Sequence, residues 1–365
     1  MTAYHLLLLL GPLALLGSAT KARSVHLALL TLAVIVAVAF CGLRWNADVD
    51  YEGYAELFAE TPTLGSFTPE TVSELYGEPG YLLLGSLLRS AEIGFFALTF
   101  LCAAFAIAVK AFVIQRFVRS AALVLFLYLC IHFITIEFIQ IRWAVASALI
   151  ALAFSFQYQR RLVPTLLCLG TAFSFHYFSI VFFVVAALLE IRRESHLYLL
   201  LGGLGALGAL VAWRGIEIPL GLEADAYILQ RAIRYITDTL STVGLMSYLK
   251  VSVYPFAYLA LTAGKPQLHA DPGLRFLRRL SLVSVAFTLA LSIVPVMHHR
   301  TVVLADLFSL MLLVRVVELR FAAVERLALM ATLCIPFATW FLLDIGANFT
   351  ANTLYEYTTW IPLLF

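Results

Sequence analysis

The chain has 365 residues, a net charge of +2 and 62% hydrophobic residues, and its mean hydropathy is +0.96. This composition excludes a soluble enzyme, and the small net charge gives no indication of nucleic-acid binding. Because roughly 20 apolar residues cross a bilayer core, we predict an all-α, polytopic integral membrane protein. Residues 1–365 are expected to form a single integral membrane domain.

The hydropathy pattern predicts about twelve transmembrane helices, counted with a window of roughly 20 residues. Their predicted ranges are 3–19, 25–42, 93–115, 120–139, 142–158, 163–175, 176–190, 197–213, 244–263, 280–296, 301–318 and 327–344. The pair 163–190 is too short for two full spans, so we predict a short hairpin or broken helix pair that turns at Ser174–His176.

Basic residues recur in short loops between these spans, and together with Arg315, near the end of the span 301–318, they make up 15 of the 24 Lys and Arg. They are Lys21, Arg23, Arg116, Arg119, Arg160, Arg161, Arg192, Arg193, Lys265, Arg275, Arg278, Arg279, Arg315, Arg320 and Arg326. Under the positive-inside rule these loops are cytoplasmic. Both termini then lie on the external face.

Two external segments are predicted between spans. Segment 43–92 has nine acidic residues and only Arg44 and Arg89 as basic ones, and its apolar stretch Tyr81–Leu88 predicts an interfacial or re-entrant helix. Segment 214–243 has apolar residues at helical spacing opposite Arg231 and Arg234, which predicts an amphipathic helix on the membrane surface.

The external face collects charged groups that are costly near hydrocarbon, which indicates a functional site. Arg44 precedes Asp48 and Asp50, with Tyr51 and Tyr54 following. Two interpretations stay open. Arg44 pairs with Asp48 in an interfacial turn lined by an aromatic belt, or its planar fork binds phosphate oxygens while a carboxylate serves as a base or holds a cation.

Three further groups lie on the same face. Glu78-Pro79-Gly80-Tyr81 is either a simple turn or places a carboxylate at the membrane surface. Arg142 needs a partner, which is either Glu137 or an anionic ligand. His176, among aromatic residues, is either structural or a proton acceptor, and His298-His299-Arg300 either caps a span or adds a cation for a diphosphate.

These motifs, in this order, resemble the bacterial exopolysaccharide polymerases of the EpsG type, within the broader Wzy-like O-antigen polymerases. The resemblance rests on Arg44 with Asp50-Tyr51-x-x-Tyr54, on Glu78–Tyr81, on Arg142 with Ala146, on Phe175-His176 after Arg160 and Arg161, on Arg300, and on the segment Tyr355–Tyr357. It covers most of the chain and is strongest from 42 to 190.

The resemblance implies an architecture similar to the GT-C membrane glycosyltransferases. It implies a transferase of exopolysaccharide or lipopolysaccharide biosynthesis in the bacterial inner membrane. This enzyme moves a glycan chain from undecaprenyl diphosphate onto a sugar hydroxyl of another lipid-linked repeat unit at the external face. Expected partners are the lipid-linked oligosaccharide, membrane lipid, a chain-length regulator and a flippase, and no nucleic acid. No cofactor or metal is expected, although Asp48 and Asp50 offer a divalent-cation alternative.

The convergence of arginines on the external face predicts a site for a lipid diphosphate, and together with the reaction that the resemblance implies it suggests roles for particular residues. Asp50, His176 and Arg142 are the catalytic candidates, with Asp50 or His176 as the base. The diphosphate candidates are Arg44, Arg142, Arg300, Arg231 and Arg234, and the sugar-binding candidates are Tyr51, Tyr54, Glu78, Tyr81 and Tyr177. An O-antigen ligase with the same donor and a transporter of lipid-linked glycan are the alternative functions. The transporter is disfavoured because the chain shows no paired halves.

Overall fold

The computed structural model describes residues 3–20, 22–75, 77–191, 193–197, 199–203, 206 and 245–359. This part of the chain is helical, with no β-strand, as predicted. The α-helices with defined bounds are α1 Leu10–Ala19, α2 Arg23–Gly42, α3 Tyr51–Glu60, α4 Pro69–Glu74, α5 Pro79–Ser90, α6 Phe95–Phe117, α7 Ala121–His132, α8 Ile141–Tyr158, α9 Leu162–Phe175, α10 Val181–Leu189, α11 Leu245–Thr262, α12 Pro272–Ala290, α13 Pro295–Arg320 and α14 Ala323–Thr350.

Five helical segments within the described residues are long and apolar enough to cross a membrane. They are Arg23–Gly42, Phe95–Phe117, Ala121–Ile139, Ile141–Tyr158 and Ala323–Thr350. These five match predicted spans, and they identify the chain as a membrane protein. The total of twelve spans stays a prediction.

The other predicted spans have mixed outcomes. Segments Ala3–Ala19, Leu162–Phe175 and Tyr177–Leu189 are shorter apolar helices. The predicted span 280–296 is interrupted, because α12 ends at Ala290 and α13 begins at Pro295. Proline at the start of α13 lacks the N–H that a continuous helix needs. Most of 197–213 and all of 214–243, including the predicted amphipathic helix, lie outside the described residues.

The described chain divides into two units. The first unit comprises Met1–Ser179 and Phe321–Phe365, and the second comprises Ile180–Arg320. In the first unit α6 packs against α2, α7 and α8, while α9 packs against α8 and α5. In the second unit α13 packs against α11 and α12.

The helix pair predicted over residues 163–190 is broken at the position that the sequence predicted. Helix α9 ends at Phe175, His176 is extended with φ −159° and ψ 113°, and a 3₁₀ turn Tyr177–Ile180 follows. The short apolar stretch after Glu78 is also helical, as the twelve-residue helix α5. A helix of that length spans about 18 Å and therefore cannot cross a bilayer core.

A wide π-helical turn, Phe133–Ile139, closes the segment that starts with α7. Such turns are uncommon and often occur at functional sites. This turn brings Glu137 into the interior of the first unit, where its side chain is almost fully buried. Directly after it, Gln140 leaves the helical conformation and α8 begins at Ile141.

Candidate functional site

Arg142 is the centre of the candidate site, in the first turn of α8. Its guanidinium donates a hydrogen bond to the Glu78 carboxylate. The guanidinium carbon lies 5.2 Å from the ring centroid of Tyr54 and 5.8 Å from that of Tyr81. The Arg142 side chain is 22% exposed, whereas that of Glu78 is 3% exposed. An arginine held this way keeps a fixed direction and still reaches an incoming anion.

The pairing of Arg142 corrects one of the two sequence interpretations. Arg142 does not pair with Glu137, five residues earlier, because the π-helical turn points Glu137 into the interior. Its partner is Glu78, which the sequence placed in a separate motif. Anion binding by Arg142 stays a prediction.

The Glu78-Pro79-Gly80-Tyr81 motif fixes α5 against the end of α9. Pro79 occupies the first turn of α5, where its missing N–H costs nothing. A Cβ atom added at Gly80 would lie 2.5 Å from Ser174 Oγ, so only glycine permits this approach. The close packing places Glu78 near the segment that carries His176.

His176 lies at the same end of the first unit, with its ring edge-on to Trp143 at 5.2 Å between centroids. Its Nδ1 accepts a hydrogen bond from the backbone N–H of Phe178 at 3.2 Å. A neutral imidazole whose Nδ1 accepts carries its proton on Nε2. In this arrangement Nε2 is a hydrogen-bond donor, which fits anion binding better than proton removal.

Tyr51, Tyr54 and Tyr81 are all buried. Burial raises the pKa of the Tyr54 hydroxyl, so this group stays neutral beneath Arg142 throughout the physiological pH range. Because the rings of Tyr54 and Tyr81 both lie against the Arg142 guanidinium, they form the aromatic wall of the Arg142 site. Tyr177 is partly exposed and contacts the ring of Phe173.

Asp50 immediately precedes α3 and is exposed. Its neighbour Asp48 is buried, with Oδ2 accepting from Arg44 Nε at 2.8 Å and Oδ1 from the Asp50 backbone N–H at 3.1 Å. Both oxygens of Asp48 thus accept hydrogen bonds from the protein. Asp50 is the exposed carboxylate of this loop.

Arg44 is fully buried and pairs with Asp48, as one of the two sequence interpretations predicted. It also donates to the Cys41 carbonyl at 3.0 Å and lies 4.8 Å from the Phe138 ring centroid. Because the Arg44 side chain has no exposed surface, a supporting role for Arg44 is favoured over direct contact with a diphosphate. Its diphosphate role stays a prediction.

A second buried ion pair was missed by the sequence interpretation. Lys110 in α6 is fully buried, and its Nζ donates to Glu137 and, at 3.1 Å, to the Ala144 carbonyl. The Tyr128 hydroxyl donates to the same Glu137 carboxylate at 2.7 Å. The available signal was a lone lysine inside the predicted span 93–115, which needs a partner.

The remaining candidates lie elsewhere. Arg231 and Arg234 are outside the described residues. Arg300 belongs to the second unit, in the first turns of α13, where neighbouring His298 is buried and contacts the Thr288 carbonyl at 3.2 Å. Also in the second unit, the Oδ2 atom of buried Asp306 lies 4.0 Å from the Nζ atom of Lys250.

A sequence profile of the EpsG family matches residues 27–359, nearly the whole chain. The chain belongs to the EpsG family. This is a family of exopolysaccharide polymerases. Neither the curated proteins nor the solved structures gave a match.

The EpsG match includes every residue of the Arg142 site. Arg44, Glu78, Arg142 and His176 all fall within 27–359, as does Arg300. Within the first unit of this EpsG-family protein, Glu78, Arg142 and His176 converge at one end of the helices. The sequence resemblance to this family is thereby confirmed, whereas the role of each residue stays a prediction.

Proposed function

We propose that this chain is a membrane glycosyltransferase that polymerises oligosaccharide repeat units carried on undecaprenyl diphosphate. The observation that carries the proposal is the partly exposed Arg142 guanidinium, fixed by buried Glu78 and two tyrosine rings. Membership of an exopolysaccharide polymerase family supports the reaction class. In this proposal the protein has about twelve spans and a GT-C-like architecture, and it works at the external face of the bacterial inner membrane.

The reaction forms a glycosidic bond between the anomeric carbon of the donor chain and a hydroxyl oxygen of the acceptor repeat. The bond from that carbon to the diphosphate oxygen breaks, and its electron pair leaves with the diphosphate. Arg142 stabilises the charge that develops on the leaving group. The Nε2–H of His176 supplies a further donor on the same side.

Asp50 is our choice for the base that takes the acceptor proton. Its carboxylate is exposed, one helical turn before Tyr54, and Tyr54 lines the Arg142 site. His176 is the weaker choice because its Nδ1 already accepts a backbone hydrogen bond. Tyr177 offers a partly exposed ring for sugar stacking, and Arg300, Arg231 and Arg234 remain proposed contacts of the diphosphates.

The proposal is tested by complementing a deletion strain and separating its surface glycan by electrophoresis. Wild-type protein should restore a ladder of chain lengths. Arg142→Ala should leave single lipid-linked repeats although the protein is inserted in normal amount. Arg142→Lys should restore little polymer, because lysine keeps the charge and loses the planar fork.

The matched control is Arg275→Ala, an exposed arginine of α12, which should leave the ladder unchanged. A normal ladder from Arg142→Ala would sink the role of Arg142. If the deletion instead leaves long polymer on its lipid carrier, the protein is a ligase. Material trapped inside the cell would indicate a transporter.

A further inference from the structure

A basic cleft lies in the first unit among the start of α2, the end of α6 and the start of α7. Its volume is about 800 Å³. Arg23, His26, Arg116 and Arg119 line it, together with apolar residues that include Leu27 and Leu30. This combination of a few polar groups over an apolar floor is typical of ligand sites.

The arginines of this cleft are positioned in different ways. Arg119 donates to His26 Nε2 and to the Thr20 carbonyl, each at 3.2 Å, which ties the start of α2 to the end of α6. Arg116 donates to Ser155 Oγ at 2.9 Å and lies 4.9 Å from the Phe112 ring centroid. These contacts hold two guanidiniums at the rim of the cleft.

Two of the arginines that line the cleft, Arg23 and Arg116, carry charges that no described carboxylate pairs with. Among the described residues that line it, none is acidic. Neither Arg23 nor Arg116 forms an ion pair with a carboxylate anywhere in the described parts of the chain, and both are exposed. A concave surface with such a charge attracts anions.

The cleft and the Arg142 site occupy opposite ends of the same helices. Helix α2 begins at Arg23 and ends just before Arg44, while α8 begins beside Arg142 and ends near Ser155, which contacts Arg116. A span of 20 residues is about 30 Å long. The cleft therefore lies at the other membrane boundary, among the basic loops that the charge rule places in the cytoplasm.

We infer that this cleft binds the phosphate group of an anionic phospholipid from the cytoplasmic leaflet. The phosphate lies between Arg23, Arg116 and Arg119, and the acyl chains lie over Leu27 and Leu30. Guanidinium groups suit phosphate oxygens, and basic pockets between transmembrane helices at this face suit anionic headgroups. This site is separate from the residues proposed to act on the lipid-linked glycan.

The test uses the full-length protein in nanodiscs of mixed phosphatidylglycerol and phosphatidylcholine, with native mass spectrometry of the lipids retained on release. Wild-type protein should retain phosphatidylglycerol preferentially. Arg23→Gln should lower that preference about fivefold, because the bound phosphate loses one of the three guanidinium groups proposed to contact it. Arg23→Gln/Arg116→Gln should lower it further.

The matched control is Arg161→Gln, which removes one exposed positive charge outside the cleft and should leave the preference unchanged. The Arg23 side chain forms no hydrogen bond or ion pair with other described residues, so Arg23→Gln should fold normally. Equal retention of phosphatidylglycerol by wild type and the double variant would overturn the inference.

A second arm separates lipid from free phosphate. Inorganic pyrophosphate is titrated into wild type and Arg23→Gln in nanodiscs of phosphatidylcholine alone, with binding followed by calorimetry. We expect no saturable binding that depends on Arg23. Tight pyrophosphate binding that Arg23→Gln abolishes would overturn the assignment to a lipid.

Discussion

The Glu78 carboxylate accepts a hydrogen bond from the Arg142 guanidinium across 64 residues of sequence. Helix α5 brings Glu78 to this position, and α8 brings Arg142. Because Glu78 is buried and Arg142 is partly exposed, the carboxylate orients the guanidinium from its buried side. The outer edge of the guanidinium stays accessible to a ligand. The pair thus joins two motifs that are separate in the sequence.

Glu78→Gln should reduce polymer formation about ten- to hundredfold. The neutral amide holds Arg142 less firmly, and in our proposal Arg142 stabilises the leaving diphosphate, where a small displacement costs about that much. The measurement is polymer yield in the deletion strain, normalised to protein in the membrane. Glu74→Gln, an exposed change in α4 of the same external segment, is the control. Equal loss in both variants would contradict a specific role for Glu78.

Gly80→Ala should destabilise the protein by about 1–3 kcal/mol, because the added methyl group meets Ser174 and Phe175 in a packed contact. It should also lower polymer yield by displacing α5 from α9. Gly53→Ala in α3 is the matched control, since its Cβ meets nothing within 4 Å. Thermal unfolding in detergent measures the stability of both variants. Similar melting temperatures for the two variants would show that the Gly80 contact is dispensable.

His176→Gln should retain more polymerising activity than His176→Ala. Glutamine can place an amide N–H near the position of Nε2, and the contact with Phe178 assigns Nε2 as a donor. The comparison is made by polymer yield at matched protein level. If His176→Gln and His176→Ala are equally inactive, His176 does not act by donating a hydrogen bond. It would then act in another way, such as accepting the proton of the acceptor hydroxyl.

Lys110→Met should destabilise the protein by about 3–5 kcal/mol, because Glu137 is left charged and buried. The double variant Lys110→Met/Glu137→Gln should recover much of that loss by removing both charges. Melting temperatures of the wild type, both single variants and the double variant give the coupling energy. Additive losses would show that the two side chains do not depend on each other.

Features set by local sequence were predicted well. Five spans follow from apolar stretches alone, and the break at His176 follows from a stretch too short for two helices. Arg44 and Asp48 are four residues apart in the sequence, so their pairing depends on a single local turn. The partner of Arg142 was not predictable in this way. It depends on the π-helical turn at Phe133–Ile139 and on the packing of α5 against α9, and neither leaves a periodic signal in the sequence.

Segment 353–359 closes over the loop that carries Asp48 and Asp50. Backbone bonds join Trp45 N–H to the Thr358 carbonyl at 3.0 Å and Tyr355 N–H to the Ala47 carbonyl at 3.0 Å, and the Tyr357 ring stacks on Phe40 at 4.2 Å. These residues are translated after every described helix. The Asp50 loop therefore reaches its final conformation only after helix α14 has been synthesised, and a nascent chain already anchored in the bilayer would still lack these contacts.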